Sequence, residues 1–174
     1  MTARARPRLR DLTSADSSRV LEITAATSVF REEELEIAAE VFRDSVIAPG
    51  PSGGAAGTGV EVRPYYALGA ELEGRLVGWI CWGQTPCTAG TWDLYWLAVD
   101  PSAQGAGVGS ALVREMESRL TGQARLISVD TSGRPDYAPT RGFYEAVGYH
   151  AVARVPDFYG PGDDQVIFTK ALPC

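Results

Sequence analysis

The chain has 174 residues, 45% hydrophobic and 22% charged, with a formal charge of −6. That length suits a single domain burying about two-thirds of its unfolded surface, and the acidic balance argues against nucleic-acid binding, which needs a basic face for phosphates. No stretch approaches the ~18 apolar residues of a membrane span, and no basic segment leads into an apolar run, so a cytoplasmic protein without membrane partners is expected.

Residues 8–12, "RLRDL", alternate and predict a short strand. Thr13, Ser14 and Asp16 are N-capping residues ahead of a helical run through Val20, Leu21 and Thr24. A second helix follows in "REEELEIAAEVFRDSVI", its three early glutamates suiting the positive end of the helix dipole. Residues 48–59, "APGPSGGAAGTG", cannot pack a core and are expected as a flexible loop. Beyond it, "PYYALGAEL", "GRLVGWICWG" and "TWDLYWLAV" read as strands, the first two turned at Glu73-Gly74. Residues 109–120 predict a helix, "ARLISVD" a strand, and "YAPTRGFYEAVG" a helix closed by Gly148. "YHAVARVPDF" and "DQVIFTKAL" complete the chain as strands. The order β-α-α-β-β-β-α-β-α-β-β is that of a mixed α/β layer in one domain over residues 1–174. Cys81, Cys87, Cys174 and His150 lack metal-ligand spacing, so free thiols, an exposed histidine and no metal are expected.

The run Gln104-Gly105-Ala106-Gly107-Val108-Gly109-Ser110 joins a strand to a helix. Its glycines allow positive φ and close approach to the backbone, while the helix directs free N–H groups and its positive end to the same place. Such a loop suits a phosphate or pyrophosphate, and it also fits a turn that binds nothing. The Walker pattern fails, because Gly109-Ser110-Ala111 has no lysine. A dinucleotide fingerprint counted from Gly105 would need glycine where Ser110 stands.

The pattern that fits is Gln/Arg-x-x-Gly-x-Gly/Ala after a strand ending Leu-x-Val-x-Pro, met here by Gln104, Gly107 and Gly109 behind Leu97, Val99 and Pro101. With "TRGFYEAVGY" at residues 140–149 as a second signature, nearly the whole chain resembles the GNAT superfamily of acetyl-coenzyme A-dependent N-acyltransferases. The resemblance implies a GNAT-like fold, with helices flanking a central mixed sheet that splays between "WLAV" and "LISV". It implies pyrophosphate on the backbone of Gln104, Gly105, Ala106, Gly107, Val108 and Gly109 with Ser110 beside it, and pantetheine along Leu97, Ala98 and Val99. Where the family often has asparagine seven residues before its tyrosine, this chain has Tyr137.

Direct transfer from a thioester to an amine needs a neutral amine, a stabilised oxyanion and a proton for the leaving thiolate. The resemblance makes Tyr144 the general acid, and Val99 or a neighbour the oxyanion donor. Asp93 matches the place where the histone-acetylating branch carries a glutamate base; a turn-bound structural aspartate is the other reading. Alternation sets Asp93, Tyr95 and Leu97 on one strand face and Trp92 and Trp96 on the other. Asp130, Glu33, Asp163 and Asp164 are weaker candidates for the base. Phe30, Glu33, Tyr95, Tyr159 and Asp163 are candidate acceptor contacts. The implied reaction is acetyl transfer from acetyl-coenzyme A to a primary amine of a small molecule, amino acid or peptide, by a monomer or homodimer. An acyl-coenzyme A sensor without turnover remains the alternative.

Overall fold

A computed structural model describes residues 6–46 and 64–173, so the stretch expected as a loop at 48–59 lies outside the described residues. The chain runs β1 (Arg8–Asp11), α1 (Ser17–Ala26), α2 (Glu32–Val46), β2 (Tyr66–Leu72), β3 (Arg75–Gln84), β4 (Thr91–Val99), α3 (Val108–Leu120), β5 (Leu126–Ser132), α4 (Ala138–Ala146), β6 (His150–Gly160) and β7 (Asp163–Ala171). This is the element order expected from the sequence. One seven-stranded open sheet has the order β1-β2-β3-β4-β5-β7-β6. Its β4–β5 pair is parallel, while β1–β2, β2–β3, β3–β4, β5–β7 and β6–β7 are antiparallel.

Local chemistry sets the joints. Glu73 and Gly74 both take positive φ, 51° and 79°, the two-residue hairpin turn that suits the right-handed twist of β2 and β3. At the end of α4, Gly148 (φ 91°) lets Tyr149 N–H reach back to the Tyr144 carbonyl, satisfying an orphan acceptor of the helix.

Apolar residues fill both faces of the sheet. Leu112, Val113 and Met116 of α3 and Tyr144 of α4 pack with Trp92, Leu94, Ile127 and Phe168. Val20 and Ile23 of α1 and Ala38 and Phe42 of α2 pack with Trp79 and Ala98 on the other face. The Trp79 indole N–H is satisfied by Thr24 Oγ1 at 3.0 Å, so this large side chain is buried without an orphan donor.

Two irregularities in β4 shape the site. Cys81 pairs with Trp96 while Trp82 pairs with Leu94, leaving Tyr95 as a bulge residue. A bulge shifts the alternation by one position. Trp92 and Leu94 therefore share the α3 side with Leu97 and Val99, whereas Trp96 joins Ala98 on the α1–α2 side. The expectation from strict alternation is corrected here: Trp92 and Trp96 lie on opposite faces, and Asp93 shares the face of Trp96 rather than that of Leu97. The second irregularity is the splay. β4 and β5 pair only at Thr91↔Leu126, Trp92↔Ile127 and Asp93↔Ser128, then part.

Asp100 fixes the exit from β4. Its carboxylate accepts from Ser102 N at 3.0 Å and Ser102 Oγ at 2.6 Å, and it binds Arg19 of α1. Those hydrogen bonds, from Ser102 first and then Arg19, lower its pKa to about 2. Asp16 is also held at about 2, chiefly by Arg10. For a carboxylate depressed in the folded state, the added stability is full above the unfolded value of about 3.9 and is lost as pH falls through the folded one. The melting temperature is thus expected to fall between about pH 4 and pH 2, and Asp100→Asn should flatten that slope in an acid-melt series. An unchanged slope in the variant would remove Asp100 from the acid response.

Candidate active site

Between β4 and α3 the backbone turns through Gly105 (φ 74°) and Gly107 (φ 82°), the latter serving as N-cap of α3. The first turn of α3 is anchored by Ala111 N–H on the Gly107 carbonyl. Ahead of it, the N–H groups of Gly105, Gly107, Val108, Gly109 and Ser110 have no backbone acceptor among the described residues. Five free donors cluster at the positive end of the helix dipole, an arrangement suited to an anion.

These amides border a cleft of about 630 Å³. Leu97, Ala98, Val99, Gln104, Gly105, Gly107, Val108, Gly109 and Ser110 all line it, as do Thr140, Phe143 and Tyr144 of α4. Ala106 does not line it; its side chain packs on the core. The splay extends the cleft's binding surface. Asp100 N–H donates to Val77 on β3, so alternation aims the N–H groups of Leu97 and Val99 away from β3, at the gap. With β5 parted from β4, these peptide groups have no strand partner there, and an amide-bearing chain laid along β4 would satisfy them. Tyr144 is buried at this cleft against Phe143, Tyr149 and Phe168. Burial pushes its phenol up, so the hydroxyl stays protonated at neutral pH and is available as a donor.

A second cavity, of about 310 Å³, adjoins the first and shares Phe30 and Tyr137 with it. Asp93, Tyr95 and Trp96 of β4 line it with Ser128, Asp130 and Ser132 of β5, Glu34 of α2, Tyr159 of β6 and Asp163 of β7. The register Asp93↔Ser128 explains the floor: Asp130, two residues on from Ser128, points to the same face as Asp93. Asp93 Oδ2 accepts from Thr85 Oγ1 at 2.7 Å and from the Tyr95 hydroxyl at 3.4 Å. Burial, and next the charge of Asp93, push the Tyr95 phenol up to about 12. Tyr159 is likewise raised to about 12, by burial and then by Asp130, Asp163 and Glu34.

Of the expected acceptor contacts, Phe30, Tyr95, Tyr159 and Asp163 line this cavity, and Glu33 does not. Glu33 is exposed, because a step of about 100° around α2 separates it from Glu34, which faces the cavity. Asp163 lines the wall with its carboxylate already occupied. Oδ1 accepts from Ser132 Oγ at 2.5 Å, and Oδ2 binds Arg31 at 2.5 Å and Arg134 at 3.5 Å. Arg134 and the Tyr137 hydroxyl also donate to the Val29 carbonyl, at 3.1 and 3.4 Å. Together they hold the α1–α2 connection, and with it Phe30, between the two cavities. Sequence reasoning missed Glu34, Ser128, Arg134 and this use of Tyr137. The helical phase of "REEE" was the one available signal.

The acetyltransferase (GNAT) domain family matches residues 63–151. A GNAT-family acetyltransferase structure from Desulfovibrio desulfuricans is 34% identical, with a TM-score of 0.81 over 95% of this chain and 99% of that one. The chain belongs to the GNAT acetyltransferase family. Among GNAT relatives, Blasticidin-S acetyltransferase of Streptomyces morookaense is 37% identical over 115 residues, 65% of this chain and 77% of that protein. An aminoglycoside 6′-N-acetyltransferase solved with coenzyme A shares the GNAT fold at a TM-score of 0.69 and 16% identity, over 96% of this chain and 98% of that one. The GNAT fold foreseen from the glycine loop and the "GFYEAVGY" segment is present, splay included.

Proposed function

We propose that this GNAT protein transfers an acetyl group from acetyl-coenzyme A directly to a primary amine of a small molecule, amino acid or peptide. The observation that carries the reading is the row of free amides at Gly105 and Gly107–Ser110, opening on a cleft whose neighbour is floored by carboxylates. Acetyl-coenzyme A, when bound, supplies an activated acyl carbonyl and a thiolate leaving group. The loop amides hold pyrophosphate charge, and the gap-facing peptides of Leu97 and Val99 hold the amide-bearing arm. An N–H from Val99 or a neighbour stabilises the oxygen that becomes negative as the amine attacks. Tyr144 protonates the departing sulfur. Asp93, Asp130 and Glu34 give the second cavity the negative charge that draws an ammonium group.

Thiol release measured over a panel of amines, with acetyl-coenzyme A as donor, tests the reading. Release that depends on one class of amine, with the acetylated product seen by mass, is the expected result. Coenzyme A binding with no turnover on any amine would instead make the chain an acyl-coenzyme A-binding domain.

A further inference from the structure

We infer that Asp130, on the β5 side of the splay, is the residue that takes the proton from the incoming amine, with Asp93 as its charged neighbour. The inference rests on the acetyltransferase reading above and reassigns the base role that the sequence pointed to at Asp93. Three observations carry it.

The first is position. Asp130 stands on the floor of the acceptor cavity, past the last β4–β5 pair at Asp93↔Ser128, where the sheet opens toward the cleft. The second is availability. Asp93 has its Oδ2 engaged by Thr85 and Tyr95 on its own strand and the adjoining turn. Asp130 accepts one bond, from Gln165 Nε2 to Oδ2 at 2.8 Å; both carboxylates keep Oδ1 without a partner among the described residues, and Asp130 carries one hydrogen bond where Asp93 carries two. The third is electrostatic. Burial is the main cause that pushes the Asp130 carboxyl up; the Gln165 bond opposes it, and the charge of Asp93 adds a smaller rise. Asp130 is open to the cavity, but a concave wall crowds it with protein atoms without covering it, so desolvation and access coexist.

The other charged or titratable groups lining the cavity with it are Tyr95 from β4, Tyr159 from β6, Asp163 from β7, Glu34 and Arg31 from α2 and its approach, and Arg134 and Tyr137 from the β5–α4 connection. Both arginines are bound to Asp163, so neither cation neutralises the Asp93–Asp130 pair. A carboxylate flanked by another holds a proton more tightly than a lone one, which makes it the better acceptor near neutral pH.

The protons balance as follows. The amine enters as R–NH3+ and gives one proton to Asp130. Its freed lone pair forms the N–C bond to the acyl carbon. The C–S bond breaks with its electron pair on sulfur, which takes a proton from Tyr144. Tyr144 regains that proton from the nitrogen through water, and Asp130 releases its own to solvent. One proton is released per amide formed.

The test compares Asp130→Asn and Asp93→Asn on the acid limb of kcat/KM, using the amine that turns over fastest. Asp130→Asn should lower kcat/KM at neutral pH by about 10²-fold and abolish the limb. Asp93→Asn should keep the limb and move it to lower pH, since the neighbouring charge is gone, with the larger change in acceptor KM. A carbon-13 carboxyl titration of the coenzyme-free protein supplies a readout apart from turnover. There Asp130 should titrate above an ordinary aspartate and fall in Asp93→Asn. Melting curves complete the set, because a merely structural Asp130 would cost Tm when changed to Asn.

Loss of the limb in Asp93→Asn with its retention in Asp130→Asn would return the role to Asp93. An Asp130 carboxyl that ignores Asp93→Asn overturns the coupled pair. If no amine turns over, the acetyltransferase reading falls and the proton role with it.

Discussion

Tyr144→Phe is expected to lower turnover by about 10²-fold, roughly 2.7 kcal/mol of transition-state stabilisation, while coenzyme A affinity and Tm stay near those of the parent chain. The change deletes one hydroxyl and keeps the ring that packs on Phe143, Tyr149 and Phe168. Burial and the nearby Tyr137 account for the raised phenol, and the hydroxyl has no hydrogen bond among the described residues, so its removal strands no buried partner there. That separates two uses of the same residue. A core tyrosine changed to phenylalanine in such surroundings is close to neutral for folding, and it has no reason to alter rate. A proton donor lost from beside the sulfur acts on kcat and kcat/KM together, because its interaction is made only as the C–S bond breaks. Single-turnover rates with saturating acetyl-coenzyme A isolate the chemical step. A parental rate under those conditions would take Tyr144 out of the mechanism and leave it as the packing residue that its place in the core also allows.

How far the sequence could be read depended on how local each cause was. The Glu73-Gly74 turn, the Gly148 helix end and the glycine loop are set by backbone conformations that their own residues favour, and each stands in the structure where the sequence put it. The β4 bulge was not legible, because it is defined by pairing across strands: Tyr95 is extra only relative to Cys81 and Trp82. One extra residue then reversed the face expected for Trp96. Asp163 shows the same limit. Its partners Arg31, Ser132 and Arg134 come from three other connections or strand ends, so the sequence, which offered Asp163 as a candidate acceptor contact, carried no sign that its carboxylate is tied into the cavity wall it lines. Asp130 ranked low as a proton acceptor for a related reason, since its neighbour Asp93 is 37 positions away and joins it only through the β4–β5 register.

Gly107→Val should raise the coenzyme A dissociation constant by about 10²-fold or more, and the structure allows its two causes to be separated. At φ 82° a side chain is strained wherever it points, by roughly 1–2 kcal/mol, and more for a β-branched one. That part is a cost to the fold. The second part concerns the ligand: a Cβ at Gly107 meets nothing within 4 Å, and Gly107 lines the cleft that the free amides border. Valine there would stand where an anion must approach, and losing two charge-assisted amide bonds at about 1.5 kcal/mol each gives about 10²-fold. Gly122 is the control. It has φ 78°, equally open surroundings and a position at the far end of α3, away from the cleft. Gly122→Val should therefore lose a similar amount of Tm and keep its affinity for coenzyme A. Gly107→Ala should lie between, paying the backbone strain with a smaller obstruction. Gly109 answers differently, since a Cβ there would press on the Phe143 ring at 3.3 Å. Calorimetric titration of coenzyme A into the three variants decides the matter. If Gly107→Val binds no worse than Gly122→Val, the loop is a turn that holds no phosphate, and the glycines serve the chain's own geometry alone.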